Sequence, residues 1–252
     1  MMSNVPFDFH PAVLALMVLG AAIMGFSKTS VGGVGSLTVA IFALGMSAKE
    51  STAAVLLLAI VGDVVAVSLM GRHAKWRLLW HLVPSVLPGL ALGAWFLAWV
   101  DDVTLRRVIG GLLVVSLGIQ FWMRRRAPSP PSEKPRWWAA QLAGVSAGFT
   151  TMTANAAAPV MALYLLAARV AKSSFIGTNA WFFFAINVTK VPLSASIGLF
   201  PERTLWLTAA LAPVVLIGTG LGRIFVKRLS QQQFEKVTVS ASLVAAVSLL
   251  IR

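Results

Sequence analysis

The chain has 252 residues, 58% of them hydrophobic and only 12% charged, with a mean hydropathy of +0.84. A soluble domain typically carries about 25% charged residues, so water is excluded as the main solvent. The formal net charge of +13 and the absence of cysteine narrow the field further: the Lys and Arg residues fall in short breaks between apolar runs rather than on a polar, aromatic-interleaved face, which argues against nucleic acid, and neither disulfides nor thiolate metal sites can form.

The first twenty-five residues hold an apolar stretch that lacks a basic leader and carries Asp8, so it is expected to be a retained helix rather than a signal peptide. The region 11–46 is split by the polar, small-residue stretch GFSKTSVGGVGS (Gly25 to Ser36), and its flanking arms are expected to be too short to cross comfortably. Three apolar stretches follow at 49–70, 78–99 and 104–123, each long enough to cross about 30 Å of hydrocarbon at about 1.5 Å per residue. A basic, proline-rich linker occupies 124–136. Beyond it, 137–168 is split by GFTTMTANAAAP (Gly148 to Pro159), and further full spans are expected at 172–196, 205–226 and 233–251.

The two breaks are related. Aligning Gly25-Phe26 with Gly148-Phe149 brings Ala48-Lys49 onto Ala171-Lys172 and Ser51 onto Ser174 without a gap; after a shift of about six residues, Pro84 falls on Pro213, Gly89 on Gly218 and Gly93 on Gly222. The expected fold is an all-α integral membrane protein of 8 to 10 membrane helices, built as two repeats (1–123 and 137–252), each a split hairpin followed by three spans. A hairpin contributes an even number of crossings, so three more spans invert the second repeat relative to the first. Positive charge in the linker, in the 70–77 loop and at Lys227/Arg228 is expected to place those turns on the cytoplasmic side of the membrane. Tryptophans such as Trp76, Trp80, Trp95, Trp99 and Trp206 lie near helix ends, where amphipathic rings favour the interface.

Interrupted helices at matched positions of inverted repeats point to a secondary transporter with its site at the breaks, near the membrane midplane. Unwound backbone persists in hydrocarbon only when it is buried in protein or lines a polar cavity. Helices restarting near Gly32 and near Asn155 would turn their first N–H groups towards a shared cavity and attract an anion, with Asn155 as N-cap. The candidate substrate-binding residues are Lys28, Thr29, Ser30, Gly32, Gly33, Thr150, Thr151, Thr153, Asn155, Asn179 and Trp181. Gly, Ser and Thr also pack membrane helices closely, and the GxxxG spacings at Gly89/Gly93 and Gly144/Gly148 are expected to do only that.

Ionisable residues inside spans are costly and usually functional. Asp63 and Lys190 stand out, with Arg223 a third. Asp63 is expected either to carry a coupling proton or to pair with Lys190, with Asn179, Asn187 and Trp181 on the Lys190 helix completing a polar wall. His10, His73 and His81 lie near helix ends, distant from the Ser/Thr clusters, which leaves an intramembrane hydrolase without a base; no catalytic residue is assigned. A divalent-metal permease should show carboxylate or histidine clusters in its spans, and Asp63 alone fits. No metal and no cofactor are expected. A passive anion channel has no sequence feature that separates it from a transporter.

The segments GFSKTSVGGVGSL and SAGFTTMTANAAAPVMALYLL, the length and the two-half build resemble the sulfite exporter TauE/SafE family of bacterial membrane proteins over residues 10 to 250. The resemblance implies a multi-pass inner-membrane transporter of a small sulfur-containing anion, such as sulfite, a sulfonate or a related organosulfur acid, coupled to the membrane gradient. Members are assigned different anions and opposite directions, so it does not select the substrate. The partners expected are the anion and the lipid bilayer, without nucleic acid; a homodimer is compatible with the sequence, which leaves the assembly open.

Overall fold

A computed structural model describes residues 9–30, 35–105, 107–109, 111–112, 137–155, 157–168, 170–230 and 233. The linker 124–136, nearly all of the expected span 233–251, most of 104–123 and the tip 31–34 with Gly32 and Gly33 lie outside the described residues. Within them the chain is helical and no strand occurs: α1 (Pro11–Thr29), α2 (Ser36–Phe42), α3 (Ala48–Met70), α4 (Trp76–Trp99), α5 (Trp137–Ala154), α6 (Ala158–Ala167), α7 (Lys172–Ser196) and α8 (Glu202–Lys227), with a 3-10 turn at Gly71–His73. Residues 102–105, 107–109 and 111–112 are also helical.

Local chemistry sets the ends. Pro11 opens α1, where its missing N–H costs nothing, and the His10 side chain accepts from the Ala12 N–H. Ser47 caps α3 by accepting from the Glu50 N–H at 3.2 Å, and Asp102 reaches in from the end of α4 to accept from the Ala48 and Lys49 N–H groups at 2.6 and 3.3 Å. The carboxylate thus sits at the positive end of the α3 dipole. Its neighbour Asp101 holds its carboxyl below the usual carboxylate range through hydrogen bonds from the Thr104 hydroxyl and backbone N–H.

Among the described residues, four helical stretches are long and apolar enough to cross a membrane: Pro11–Thr29, Ala48–His73, Leu82–Trp99 and Glu202–Lys227. The 25-residue α7 matches them in length but carries Asn179, Asn187 and Lys190. The expectation of two short arms per split hairpin is corrected. At 19 residues α1 reaches about 29 Å, enough to cross, and α5 has 18 residues; only the return arms are short, with 7 residues in α2 and 10 in α6. The reason lies in the hydroxyls. Thr150 donates to Ser146 and Thr153 to Phe149, so these polar side chains fold back on their own helix instead of unwinding it, and Ser30, just past the end of α1, donates to the Phe26 carbonyl. On the first side α1 ends at Thr29 and α2 begins at Ser36; on the second α5 ends at Ala154 and α6 begins at Ala158.

Two pairings dominate the packing, α4 against α5 and α1 against α8, and glycine makes both possible. A Cβ on Gly25 would lie 2.0 Å from the Val215 carbonyl oxygen, and one on Gly218 would lie 2.3 Å from that of Ala22. The same contact recurs in the other pair: Gly148 faces the Val86 oxygen at 2.2 Å and Gly89 that of Val145 at 2.1 Å. Backbones this close gain dispersion contacts over their whole crossing, which is what small residues contribute between membrane helices. The GxxxG pairs expected to serve packing do so here. Each pairing carries its own apolar core. One holds Val86, Leu90, Met152 and Phe182, and the other Met17, Phe42, Leu58 and Val215. Helices α3 and α7 pack against each other between them. Outward lie Leu19, Val64, Ile217 and the tryptophans Trp80, Trp95, Trp99 and Trp206, all exposed. Arg223 is also exposed.

Candidate functional site: a cavity between two broken helices

Both breaks open onto one cavity of about 440 Å³ counting its mouth. The first contributes Met24, Ser27 and Lys28 from the end of α1 and Gly35 from the start of α2; the second contributes Thr151, Asn155 and Ala158. The rest of the wall comes from Ala59 on α3 and from Asn179, Phe183 and Asn187 on α7. Spacings of three and four residues explain both sets, since 24, 27 and 28 share one face of α1, and 179, 183 and 187 share one face of α7.

The charges are arranged about α3. Lys28 Nζ lies 2.7 Å from Asp63 Oδ1, and the two side chains are 11% and 0% exposed, so the pair is shielded from water with its lysine at the cavity wall. The contact has ion-pair distance without hydrogen-bond angles, so Oδ1 is left with no aligned donor. The other oxygen, Oδ2, accepts from Asn187 Nδ2 at 2.7 Å. Lys28 also stands 5.0 Å from the centre of the Phe183 ring, within cation–π range. An ammonium has three protons to donate, so Lys28 can hold Asp63 and still present a donor to a solute.

The expected Asp63–Lys190 pair is not formed. Lys190, fully buried, donates to the Thr151 carbonyl at 2.6 Å and to the Asn155 side-chain oxygen. Asn155 in turn donates from Nδ2 to the Thr52 carbonyl of α3 at 3.0 Å. Lys190 therefore supports the second break from behind, as Asp63 supports the first. Asn155 is also not the N-cap expected: with φ of 50° it is the left-handed residue that ends α5, its N–H donating to Thr151 O. Asn tolerates this backbone better than other non-glycine residues, and α6 begins only at Ala158.

Of the residues singled out in the sequence, Lys28, Thr151, Asn155, Asn179 and Asn187 line the cavity. Thr29, Ser30, Thr150 and Thr153 are buried beside it and committed to carbonyls, Thr29 to that of Thr219 at 2.7 Å and the other three within their own helices. Trp181 is elsewhere: it packs on Trp76 at 5.1 Å and on Phe184, at the turn between α3 and α4. Two residues from Asn179 and from Phe183 on a helix, it must face away from them. The apolar wall of Met24, Ala59, Ala158 and Phe183 was missed by a search for polar residues; the three- and four-residue spacing from Lys28 and Asn179 is the signal that finds Met24 and Phe183.

Long apolar helices around a buried, charged cavity closed by two helix breaks define a multi-pass helical membrane protein. Residues 17–249 match the family described as Sulfite exporter TauE/SafE, nearly the whole chain, and the chain belongs to that family of membrane transporters. No curated protein and no solved structure matches the chain.

Proposed function

We propose that the protein is a secondary transporter that moves a small sulfur-containing anion, such as sulfite, a sulfonate or a related organosulfur acid, across the bacterial inner membrane. The observation that carries this reading is the meeting of both breaks at one cavity whose wall presents the Lys28 ammonium. Family membership agrees with it. The two halves, 1–123 and 137–252, act as inverted repeats joined by a cytoplasmic linker; the reciprocal glycine contacts of α1 with α8 and of α5 with α4 support this symmetry. Rocking one half against the other exposes the cavity to each side in turn. Movement of the anion is coupled to a proton or ion gradient, and Asp63, buried beside the lysine that meets the anion, is the group through which a proton would act.

Flux into proteoliposomes tests the proposal. Labelled sulfite or a sulfonate should accumulate against its concentration gradient when a pH difference is imposed. Flux that only ever runs downhill would replace the transporter with a channel, and no flux of any such anion would remove the reading altogether.

A further inference from the structure

The transport reading leaves open how much charge the solute carries, and the buried side chains bear on that directly. Three ionisable groups are clustered at the cavity: Lys28 on its wall, Asp63 behind Lys28, and Lys190 behind Thr151 and Asn155. Asp63 and Lys190 have no exposed surface, and the Lys28 side chain has little. Lys190 lies one turn beyond Asn187 on α7, and Asn187 donates to Asp63. No other charged side chain lines the cavity among the described residues. Facing this cluster, α1 contributes Lys28, α3 Asp63 and α7 Lys190, while Arg223 of α8 points outward.

With both lysines protonated, two ammonium groups stand against one carboxylate, and one positive charge is without a counter-charge in a place shielded from water. Lys190 is held by neutral acceptors alone, a carbonyl and an amide oxygen. Charge buried in a protein is retained at low cost only when it is balanced at close range.

We infer that the cavity takes a monovalent oxyanion, one negative charge being what completes the buried set of Lys28, Lys190 and Asp63. This rests on the transport reading and narrows it to singly charged acids. The polar wall of Thr151, Asn155, Asn179 and Asn187 supplies amide and hydroxyl groups for the oxygens. Met24, Ala59 and Phe183 leave an apolar side that accommodates a short hydrocarbon tail. A doubly charged anion would enter with one charge unmatched and would need a proton on Asp63 to be held.

Calorimetric titration of the purified full chain in detergent, with three probes of similar size, tests the inference. Methanesulfonate carries one charge, sulfate two and dimethyl sulfone none. The wild-type protein should bind methanesulfonate about tenfold or more tightly than sulfate, a difference that like-charge or unpaired-charge mismatch readily produces, and should not bind the sulfone. Asp63→Asn preserves shape and raises the charge of the set by one, so the order of methanesulfonate and sulfate should invert. Lys190→Gln lowers it by one and should weaken methanesulfonate by about tenfold or more without strengthening sulfate. If Asp63→Asn does not fold, the wild-type series and Lys190→Gln still decide. Sulfate bound as tightly as methanesulfonate by the wild type, or an unchanged order in Asp63→Asn, overturns the inference while leaving anion transport intact. Failure of both methanesulfonate and sulfate to bind overturns the inference, while the transport reading falls only if no such anion is carried in the flux assay.

Discussion

Lys28 and Asp63 depend on each other for burial. Removing one partner of a buried pair strands the other charge, typically at a cost of about 3–5 kcal/mol, and when Lys28 is shortened Asp63 keeps the Asn187 hydrogen bond but no ion-pair contact. Lys28→Ala should therefore lose about that much stability and should also lose anion binding. Adding Asp63→Asn to it should recover most of the stability, because the stranded charge is gone. Thermal unfolding of the four proteins of the cycle measures the coupling; a double variant no more stable than Lys28→Ala would mean that the two charges do not interact. The importance of these residues was legible because a charge inside an apolar run is costly wherever it lands. Their pairing was not. Whether Asp63 meets Lys28 or Lys190 depends on how α1 and α7 are rotated and placed against α3, which no local pattern specifies. Trp181 is different, since the 100° step of its own helix already turned it away from Asn179.

At the scale of helices, the close pairings α1–α8 and α5–α4 rest on missing side chains. Gly25→Ala would drive a methyl into the Val215 carbonyl, 2.0 Å from where Cβ must stand, so the helices must separate. The expected loss is about 1–3 kcal/mol, the usual cost of overpacking. Gly220, on the same α8, has nothing within 4 Å of its Cβ position; Gly220→Ala should be neutral or gain up to about 1 kcal/mol from helix propensity. Unfolding temperatures of the two variants in one detergent make the comparison. Equal effects would mean that the close crossing contributes nothing. Helix existence could be read from hydropathy, and the packing role of the GxxxG pairs from their spacing. Break lengths could not. Thr150 and Thr153 look like helix breakers in a polar stretch, yet each hydroxyl returns to a carbonyl of its own helix and the helix continues to Ala154.

For the whole molecule, the decisive feature is that two segments 123 residues apart in sequence, Lys28 and Thr151, line one cavity. Rocking of two halves about that cavity requires its wall to meet each aqueous side in turn. The chain contains no cysteine, so Ala158→Cys supplies a single reporter on the wall. A membrane-impermeant thiol reagent should label it in both right-side-out and inside-out vesicles, and added anion should slow labelling from both. Labelling confined to one orientation would contradict alternating exposure. Sequence alone determined that the chain lives in lipid and that it is helical, because hydrocarbon penalises every unpaired polar group and so writes spans and interruptions directly into residue type. The tertiary structure alone decided which charges meet, that Asn155 ends a helix instead of starting one, and that an apolar wall faces the lysine. Those outcomes follow from the rotation and crossing of helices, and these are set by shape complementarity between distant segments.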